Sequence, residues 1–133
     1  MEQAGPQGVA QLDALFETIA TRERRRLLYY LREHGSATKD ELVDVLTGWA
    51  ATDRAEQVTT RADWTRTKTR LHHVHLPKLQ DNALVEYDPQ TDVVRLTDLQ
   101  PWAERCLDAA LESEQALASP RGQPAKFIAD DTE

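Results

Sequence analysis

The chain has 133 residues, of which 40% are hydrophobic and 29% charged, so it has apolar material for one core of ordinary size. Its formal net charge of −7 argues against non-specific coating of nucleic acid, but it allows one basic face. There is no apolar run long enough for a membrane span, no secretory signal at the N-terminus, and only one cysteine, Cys106. The sequence therefore predicts a cytoplasmic protein without an internal disulfide.

The charged residues are unusual in kind. Only four of the 16 basic residues are lysines, and Asp is as common as Glu among the 23 acidic residues. Strongly hydrated carboxylates and scarce lysine favour a cytoplasm at high salt, although an acidic protein from ordinary salt would have a similar composition.

The first elements follow from apolar spacing. Residues 1–10 have no periodicity and are predicted to be a disordered lead-in. The next stretch, LDALFETIA, predicts a short amphipathic helix. Its apolar residues at helical spacing are Leu12, Leu15, Phe16 and Ile19.

A second helix, RERRRLLYYLREH, is predicted between a cap at Thr21 and a stop at Gly35. Four arginines near its start (Arg22, Arg24, Arg25 and Arg26) oppose the helix dipole. Ion pairs with Glu17 and Glu23 are the favoured explanation, and a phosphate backbone is the alternative.

A third helix follows a minimal strand at residues 36–37. Thr38 and Glu41 have the spacing of a capping box. This box predicts the start of the helix KDELVDVLTGWA. Its apolar stripe is Leu42, Val45, Leu46 and Trp49. Residues 50–60 are polar and predict a loop, either without regular structure or with one helical turn.

The stretch from residue 60 to residue 85 is locally basic in an acidic chain. Thr60 and Asp63 predict its cap, and Pro77 predicts either a bend or a break into 61–75 and 77–82. The basic residues are Arg61, Arg66, Lys68, Arg70 and Lys78, backed by apolar Trp64, Leu71, Val74, Leu76 and Leu79. Because Arg, Lys and Thr meet phosphates and base edges, the stretch predicts a recognition helix. An amphipathic helix with a solvated basic face is the alternative.

Two β-rich runs surround a turn at residues 89–91, after Asn82 and Ala83 close the helix, and they predict a hairpin. A last helix is predicted over residues 98–118, and residues 119–133 are predicted to be a disordered acidic tail. This helix has more apolar surface than an appended helix needs, which favours homodimerisation over simple coverage of its own domain. The predicted dimer residues are Trp102, Cys106, Leu107, Ala110 and Leu111.

The fold class predicted from this order is mainly α with a small β-hairpin, a winged helix-turn-helix over residues 11–97 with an additional C-terminal helix. LFETIATRERRRLLYYLREHG resembles the first helices of ArsR-like archaeal winged-helix regulators, and LHHVHLPKLQDNALVEYD resembles a set of haloarchaeal winged-helix domains, most of unknown function. The resemblance implies sequence-specific binding of double-stranded DNA in transcriptional regulation. It also implies that His72, Leu76 and Leu79 point inward, with His73 and His75 at the flanks.

The predicted DNA contacts are Arg61, Thr65, Arg66, Thr67, Lys68, Arg70 and His73 on the basic helix and Arg95 on the hairpin. Arginines are predicted to read bases and Lys68 and Thr65 to bind phosphate. The hairpin turn is acidic, which departs from the usual basic wing.

Other functions find less support. The three histidines of the basic stretch, at positions 72, 73 and 75, point in different directions on a helix and do not converge with Cys106 on one metal ion. We therefore expect no metal and no other cofactor, and Cys106 is predicted to be a core thiol rather than a redox sensor. The sequence has no Gly-rich phosphate loop or nucleophile motif, so no enzyme is predicted. The alternative to a DNA-binding regulator is a protein-interaction module whose basic helix binds an acidic partner.

Overall fold

The computed structural model describes the backbone of residues 6–54 and 60–118. The chain divides into two compact units, residues 1–99 and residues 100–133. The described elements of the first unit are α1 (Pro6–Thr18), α2 (Arg22–His34), β1 (Ser36–Thr38), α3 (Lys39–Arg54), α4 (Arg61–Arg70), a π-helical turn (Leu71–His75), α5 (Leu76–Asp81), β2 (Val85–Asp88) and β3 (Val93–Leu96). The second unit contains α6 (Pro101–Ala118).

The three strands form one antiparallel sheet in the order β1-β3-β2. Val94 in the central strand pairs with Ala37 of β1 and with Tyr87 of β2, and its side chain is fully buried. The predicted hairpin and the minimal first strand are both confirmed. Helices followed by a small sheet of this order give the first unit a winged helix-like fold, and we call the hairpin of β2 and β3 the wing.

Leucines from four helical segments supply most of the core of the first unit. Two predicted members of the α3 stripe, Leu42 and Leu46, are buried, but Val43 is fully buried where Val45 was expected. The side chains with no exposed surface include Leu27, Leu28, Leu31, Leu42, Val43, Leu71 and Leu79. Truncating one such leucine to alanine typically costs about 2–5 kcal/mol, so this cluster fixes the relative positions of the helices.

Helix α1 begins earlier than the sequence predicted. Its first residue is Pro6, so residues 6–10 are helical and the predicted lead-in over residues 1–10 was wrong for them; residues 1–5 lie outside the described residues. Proline suits the first position of a helix because its missing N–H would have no intrahelical partner there. Leu15 and Ile19 are buried as predicted, whereas Phe16 is 52% exposed.

The caps of α2 are those the sequence predicted. The Thr21 side chain accepts a hydrogen bond from the Arg24 amide, and Gly35 ends the helix with a φ of 84°, a conformation that favours glycine. The arginines near the start were interpreted as ion-pair partners. The structure adds a contribution that was not predicted, because Arg24 and Arg25 donate to backbone carbonyls at the C-terminal end of α1. Those carbonyls have no intrahelical donor and lie at the negative end of the α1 dipole.

Residues 61–81 form one helical rod, which we call the basic rod: α4, the π turn and α5 in succession. The backbone stays helical through Pro77, and the interruption predicted there takes the form of a π turn just before the proline. In this turn the Leu76 amide donates to the Leu71 carbonyl five residues earlier. Proline lacks an N–H and its ring crowds the carbonyl four residues before it, and a π turn is a common way for a helix to absorb such an interruption.

The π turn changes which residues face the core, because it uses more residues for the same rotation about the axis. His75 is 1% exposed and Leu76 and Leu79 are buried, whereas His72 is exposed. The prediction that His72 points inward and His75 lies at the flank was therefore wrong. Just after the rod, Ala83 has a φ of 60°, so it is the left-handed residue instead of the expected Asn82. The side-chain amide of Asn82 donates hydrogen bonds to the Lys78 carbonyl and the Thr18 hydroxyl.

Candidate nucleic-acid interface

The start of the basic rod is fixed by a capping box. Thr60 accepts from the Asp63 amide at 3.0 Å, and the Asp63 carboxylate accepts from the Thr60 amide at 3.2 Å, as the sequence predicted. The same carboxylate binds the Arg66 guanidinium at 3.0 Å. The hydrogen bonds from Thr60, followed by that from Arg66, lower the pKa of Asp63. The side chain of Arg66 remains 66% exposed, so the ion pair orients it without covering it.

Most of the predicted DNA-binding residues lie on the solvent side of the rod and wing. Thr67 and Lys68 are half-buried. The exposed members are Arg61, Thr65, Arg66, Arg70, His73 and, on β3, Arg95. Within the described residues, Arg61, Arg70 and Arg95 form no ion pair. The arginines of the rod that were predicted to contact DNA are therefore exposed, and Arg66 and Arg70 lie one helical turn apart.

Lys68 differs from these arginines because it is bound within the protein. Its ammonium group lies 3.0 Å from Asp40 of α3 and 5.2 Å from the centre of the Trp64 ring. The bond to Asp40 raises the pKa of Lys68. Trp64 in turn donates to Asp44 of α3 at 2.8 Å. Lys68 and Trp64 thus attach α4 to α3, a role that the prediction of a phosphate contact missed for Lys68.

A second attachment joins the rod to the wing and was also missed. We call Lys39, His72, Tyr87 and Asp92 the wing cluster. The Lys39 side chain is only 10% exposed, and its ammonium group donates to His72 Nδ1 at 2.9 Å and lies 3.7 Å from the Asp92 carboxylate. The Tyr87 hydroxyl donates to Asp92 at 2.6 Å, and its ring lies 5.1 Å from the Lys39 ammonium. The cluster joins the start of α3, the π turn and both ends of the wing turn.

The geometry of the wing cluster fixes the state of His72. Because Lys39 can only donate, the Nδ1 atom of His72 must accept, so the ring is neutral with its proton on Nε2. The nearby Lys39 charge, followed by partial desolvation, lowers the pKa of His72. Asp92 has a φ of 62°, and its amide donates to the Asp88 carbonyl at 2.7 Å, which closes the turn tightly. The acidic turn is therefore held by internal contacts.

On the opposite side of the π turn, His75 meets a buried arginine. Arg24 is 7% exposed, and its guanidinium donates from Nε to the Thr18 carbonyl at 2.6 Å and from Nη1 to His75 Nδ1 at 3.3 Å. Burial lowers the pKa of Arg24 and lowers that of His75 to about 4. His75 Nε2 is buried and has no hydrogen-bond partner among the described residues. We call Arg24, His75 and the Thr18 carbonyl the inner cluster.

One further residue on the rod is exposed although the sequence did not predict it to be. Val74 was counted among the apolar backing of the basic stretch, yet it is 46% exposed. It lies between exposed His73 and buried His75. A π turn following Arg70 is not visible in the sequence pattern, and Pro77 is the one signal that could have suggested it.

The remaining site predictions concern metals, the C-terminal helix and membranes. His72 and His75 lie on different sides of the rod, and the described residues contain no group of three or more potential metal ligands. Nor does any helix in the described segments have the length and apolarity to cross a membrane. On α6, Leu107 is fully buried within the single chain. The other four residues predicted to form the dimer are half-buried: Trp102, Cys106, Ala110 and Leu111.

Comparisons with known proteins identify a family without assigning an activity. A family model described as a domain of unknown function (DUF7344) matches residues 16–95. This range contains α2, α3, the basic rod and nearly all of the wing. No curated protein and no solved structure matches the chain. Because the match covers more than half of the 133 residues, the chain belongs to the family described as domain of unknown function DUF7344.

Proposed function

We propose that the protein is a sequence-specific DNA-binding transcriptional regulator that acts in the cytoplasm, with the basic rod as its recognition helix. The observation that carries the proposal is the outward arginine row: Arg66 and Arg70 are both exposed, one helical turn apart, on an otherwise acidic chain. Arginine matches the acceptor pair of guanine in the major groove, and a winged-helix frame presents a helix to that groove.

The division of labour between lysine and arginine supports base reading over simple phosphate attraction. All three lysines of the described residues have partners in the protein: Lys39 in the wing cluster, Lys68 on Asp40 and Lys78 on Glu17 at 3.0 Å. The exposed cations of the rod are arginines, the side chains that read guanine bidentately. In this arrangement phosphate contacts contribute less of the affinity than in a lysine-rich regulator.

The wing adds little positive charge to such a complex. Asp92 is engaged by Tyr87 and Lys39, and Asp88 is exposed at the start of the turn. Arg95 is the exposed cation of β3. We infer that the wing flanks the duplex, with Arg95 as its contact, and that the wing cluster holds it at a fixed angle to the rod.

The test is DNA binding in molar KCl, measured by fluorescence anisotropy on a library of genomic duplexes. The variant Arg66→Ala with Arg70→Ala loses binding, because both base-reading side chains are removed. The matched control, Arg22→Ala with Arg32→Ala, removes the same charge from α2 and keeps binding. If both double variants lost the same DNA affinity, net charge alone would explain the binding. That result would refute sequence reading by the rod.

Salt dependence gives a second readout. A regulator suited to high salt has a weak or inverted dependence of affinity on KCl, because base contacts and the hydration of its acidic surface replace counterion release. Measuring the dissociation constant over a KCl series tests this. A steep loss of affinity with added salt would refute the high-salt part of the proposal.

A second candidate is a protein-interaction module whose rod binds an acidic partner. The observation in its favour is that carboxylates already occupy rod cations in this structure: Asp40 on Lys68, Asp63 on Arg66 and Glu17 on Lys78. Absence of DNA binding at every salt concentration, together with a partner recovered in a pull-down that the double arginine variant loses, would favour this candidate.

We further propose that the regulator is a homodimer formed through α6, using the half-buried Trp102, Cys106, Ala110 and Leu111. Light scattering after size-exclusion chromatography in high salt tests it. A dimer binds a two-fold operator whose half-sites lie about one helical turn apart, whereas a monomer at all concentrations would refute this step.

A further inference from the structure

Val74 is an apolar side chain on the basic rod that is 46% exposed. The large hydrophobic residues exposed within the described residues are Val9, Phe16, Val74 and Leu117, and of these only Val74 lies on the rod. Its sequence neighbour His73 is exposed, as is Arg70 one turn before it. A polar or charged residue would be the ordinary choice at such a position.

The π turn determines where Val74 points. In a continuous α-helix, residues four apart drift by about 40° around the axis, so Val74 would lie further round than Arg70, which itself lies further round than Arg66. The π turn begins at Leu71 and has more residues per turn than an α-helix. It therefore turns Val74 back toward the row defined by Arg66 and Arg70. The rod then carries two arginines and one valine in line.

The chemistry of this row matches one ligand. Exposed guanidinium groups select a polyanion, and the arginine fork fits guanine O6 and N7. An isopropyl group beside them fits an apolar atom group within that polyanion. In the major groove of DNA the apolar group is the C5-methyl of thymine, which apolar side chains contact.

We infer that Val74 reads thymine by contacting its C5-methyl group in the major groove. The inference rests on the proposed DNA-binding function and names what this part of the rod recognises. Four residues along a helix correspond to about 6 Å, and base pairs are stacked about 3.4 Å apart. The thymine therefore lies within about two base pairs of the base that Arg70 reads.

The test compares thymine with uracil, which differs only by that methyl group. Duplexes are first selected from a library with a randomised core, in molar KCl, with the full-length protein. Each selected duplex is then prepared with thymine and with deoxyuridine, and both are titrated by anisotropy. The wild type binds the deoxyuridine form about fourfold more weakly, the loss expected from one buried methyl group.

Two variants make the result specific to this residue. Val74→Ala binds the thymine and deoxyuridine forms equally, because the contacting methyl groups are gone. Val9→Ala makes the same chemical change on α1 at a valine of similar exposure, 58%, and keeps the fourfold preference. Both valines are exposed, so neither substitution removes a buried contact.

The outcomes separate the inference from the function. If no duplex is selected, the proposed DNA binding fails and the inference fails with it. If duplexes are selected but the wild type binds both forms equally, DNA binding stands and the inference is overturned. A deoxyuridine penalty that persists in Val74→Ala also overturns it, because another residue then reads the methyl group.

Discussion

The two sides of the π turn carry the same side chain in different settings. On one side His75 is buried and accepts a hydrogen bond from Arg24; on the other His72 is exposed and accepts one from Lys39. Both histidines are therefore neutral rings held by a cation, yet the inner cluster attaches the rod to α1 and α2, whereas the wing cluster attaches it to α3 and the wing. The difference is burial, which determines what each contact contributes to stability and to pH dependence.

One turn of helix therefore carries both a structural and an orienting contact. In the inner cluster, a lost partner leaves buried polar groups without hydrogen bonds, and that penalty is large. In the wing cluster Lys39 is also buried, but His72 is exposed, so water can replace the hydrogen bond that His72 loses. The inner cluster should consequently dominate stability, and the wing cluster should affect mainly the position and protonation of exposed groups.

The largest expected effect is that of Arg24→Met. It removes donors to the Thr18 carbonyl and to His75 and leaves both buried acceptors unpaired, so the free energy of unfolding should fall by about 3 kcal/mol. Chemical denaturation measures it. Arg25→Met is the matched control on the same helix: Arg25 is half-buried and donates to the Ile19 carbonyl, and its loss should cost about 1 kcal/mol. Equal costs would contradict the special role of the inner cluster.

The next effect is a loss of stability in acid. Burial lowers the pKa of His75 from 6.5 to about 4, so between these values the unfolded state binds a proton that the folded state does not. Stability from this group is therefore present above pH 6.5 and falls as the pH falls toward 4, by about 2 kcal/mol between pH 7 and pH 5.

His75→Leu isolates this contribution because it removes the titrating ring. Between pH 7 and pH 5, the free energy of unfolding of this variant should fall by about 2 kcal/mol less than that of the wild type. His73→Leu makes the same substitution at an exposed position and should keep the wild-type pH dependence. Parallel pH profiles for wild type and His75→Leu would show that His75 is not the group responsible.

A smaller effect is expected from the wing cluster. Lys39→Met removes the ammonium group beside His72, so the free energy of unfolding should fall by about 1 kcal/mol. The pKa of His72 should rise, because the Lys39 charge is the main cause of its lowering. Nuclear magnetic resonance titration of the imidazole measures the pKa. Lys78→Met removes a cation that pairs with Glu17 instead, and it should leave the pKa of His72 unchanged.

The smallest effect on stability is expected from Asp92→Asn. Its effect on the pKa of His72 should be opposite in sign to that of Lys39→Met. Asp92 raises the pKa of His72, so removing its charge should lower that pKa further. Asparagine tolerates the positive φ of this position, so the turn should be kept and stability should change by roughly 0.5 kcal/mol. The same titration measures the result. If Lys39→Met and Asp92→Asn shift the pKa in the same direction, the wing cluster is not the source of the shift.

Much of the first unit was predictable because its signals are local. The Thr21 and Thr60 caps and the Gly35 stop depend on residues within four positions of each other, the hairpin joins two adjacent runs around one turn, and all are confirmed. Leu27, Leu28 and Leu31 have the spacing of one helical stripe, which is also a local signal, and they are fully buried. A local pattern determines a local structure when no distant contact competes with it.

The candidate site was less predictable because its decisive contacts join distant segments. Arg24 and His75 are 51 positions apart, and Lys39 and His72 are 33 apart. No spacing rule relates residues so far separated. Phe16, assigned to the core from its helical spacing, is exposed because periodicity indicates a face and not what covers that face.

The sequence alone therefore determined the elements, their order and the concentration of arginine on one helix, since caps, periodicity and charge are written in neighbouring residues. Only the tertiary structure decided that the rod contains a π turn, that His75 rather than His72 enters the core, and that Lys39 and Lys68 bind within the protein while Arg70 stays exposed. The physical reason is that the rotation of a helix about its axis, and the pairing of its charges, depend on which distant groups pack against it.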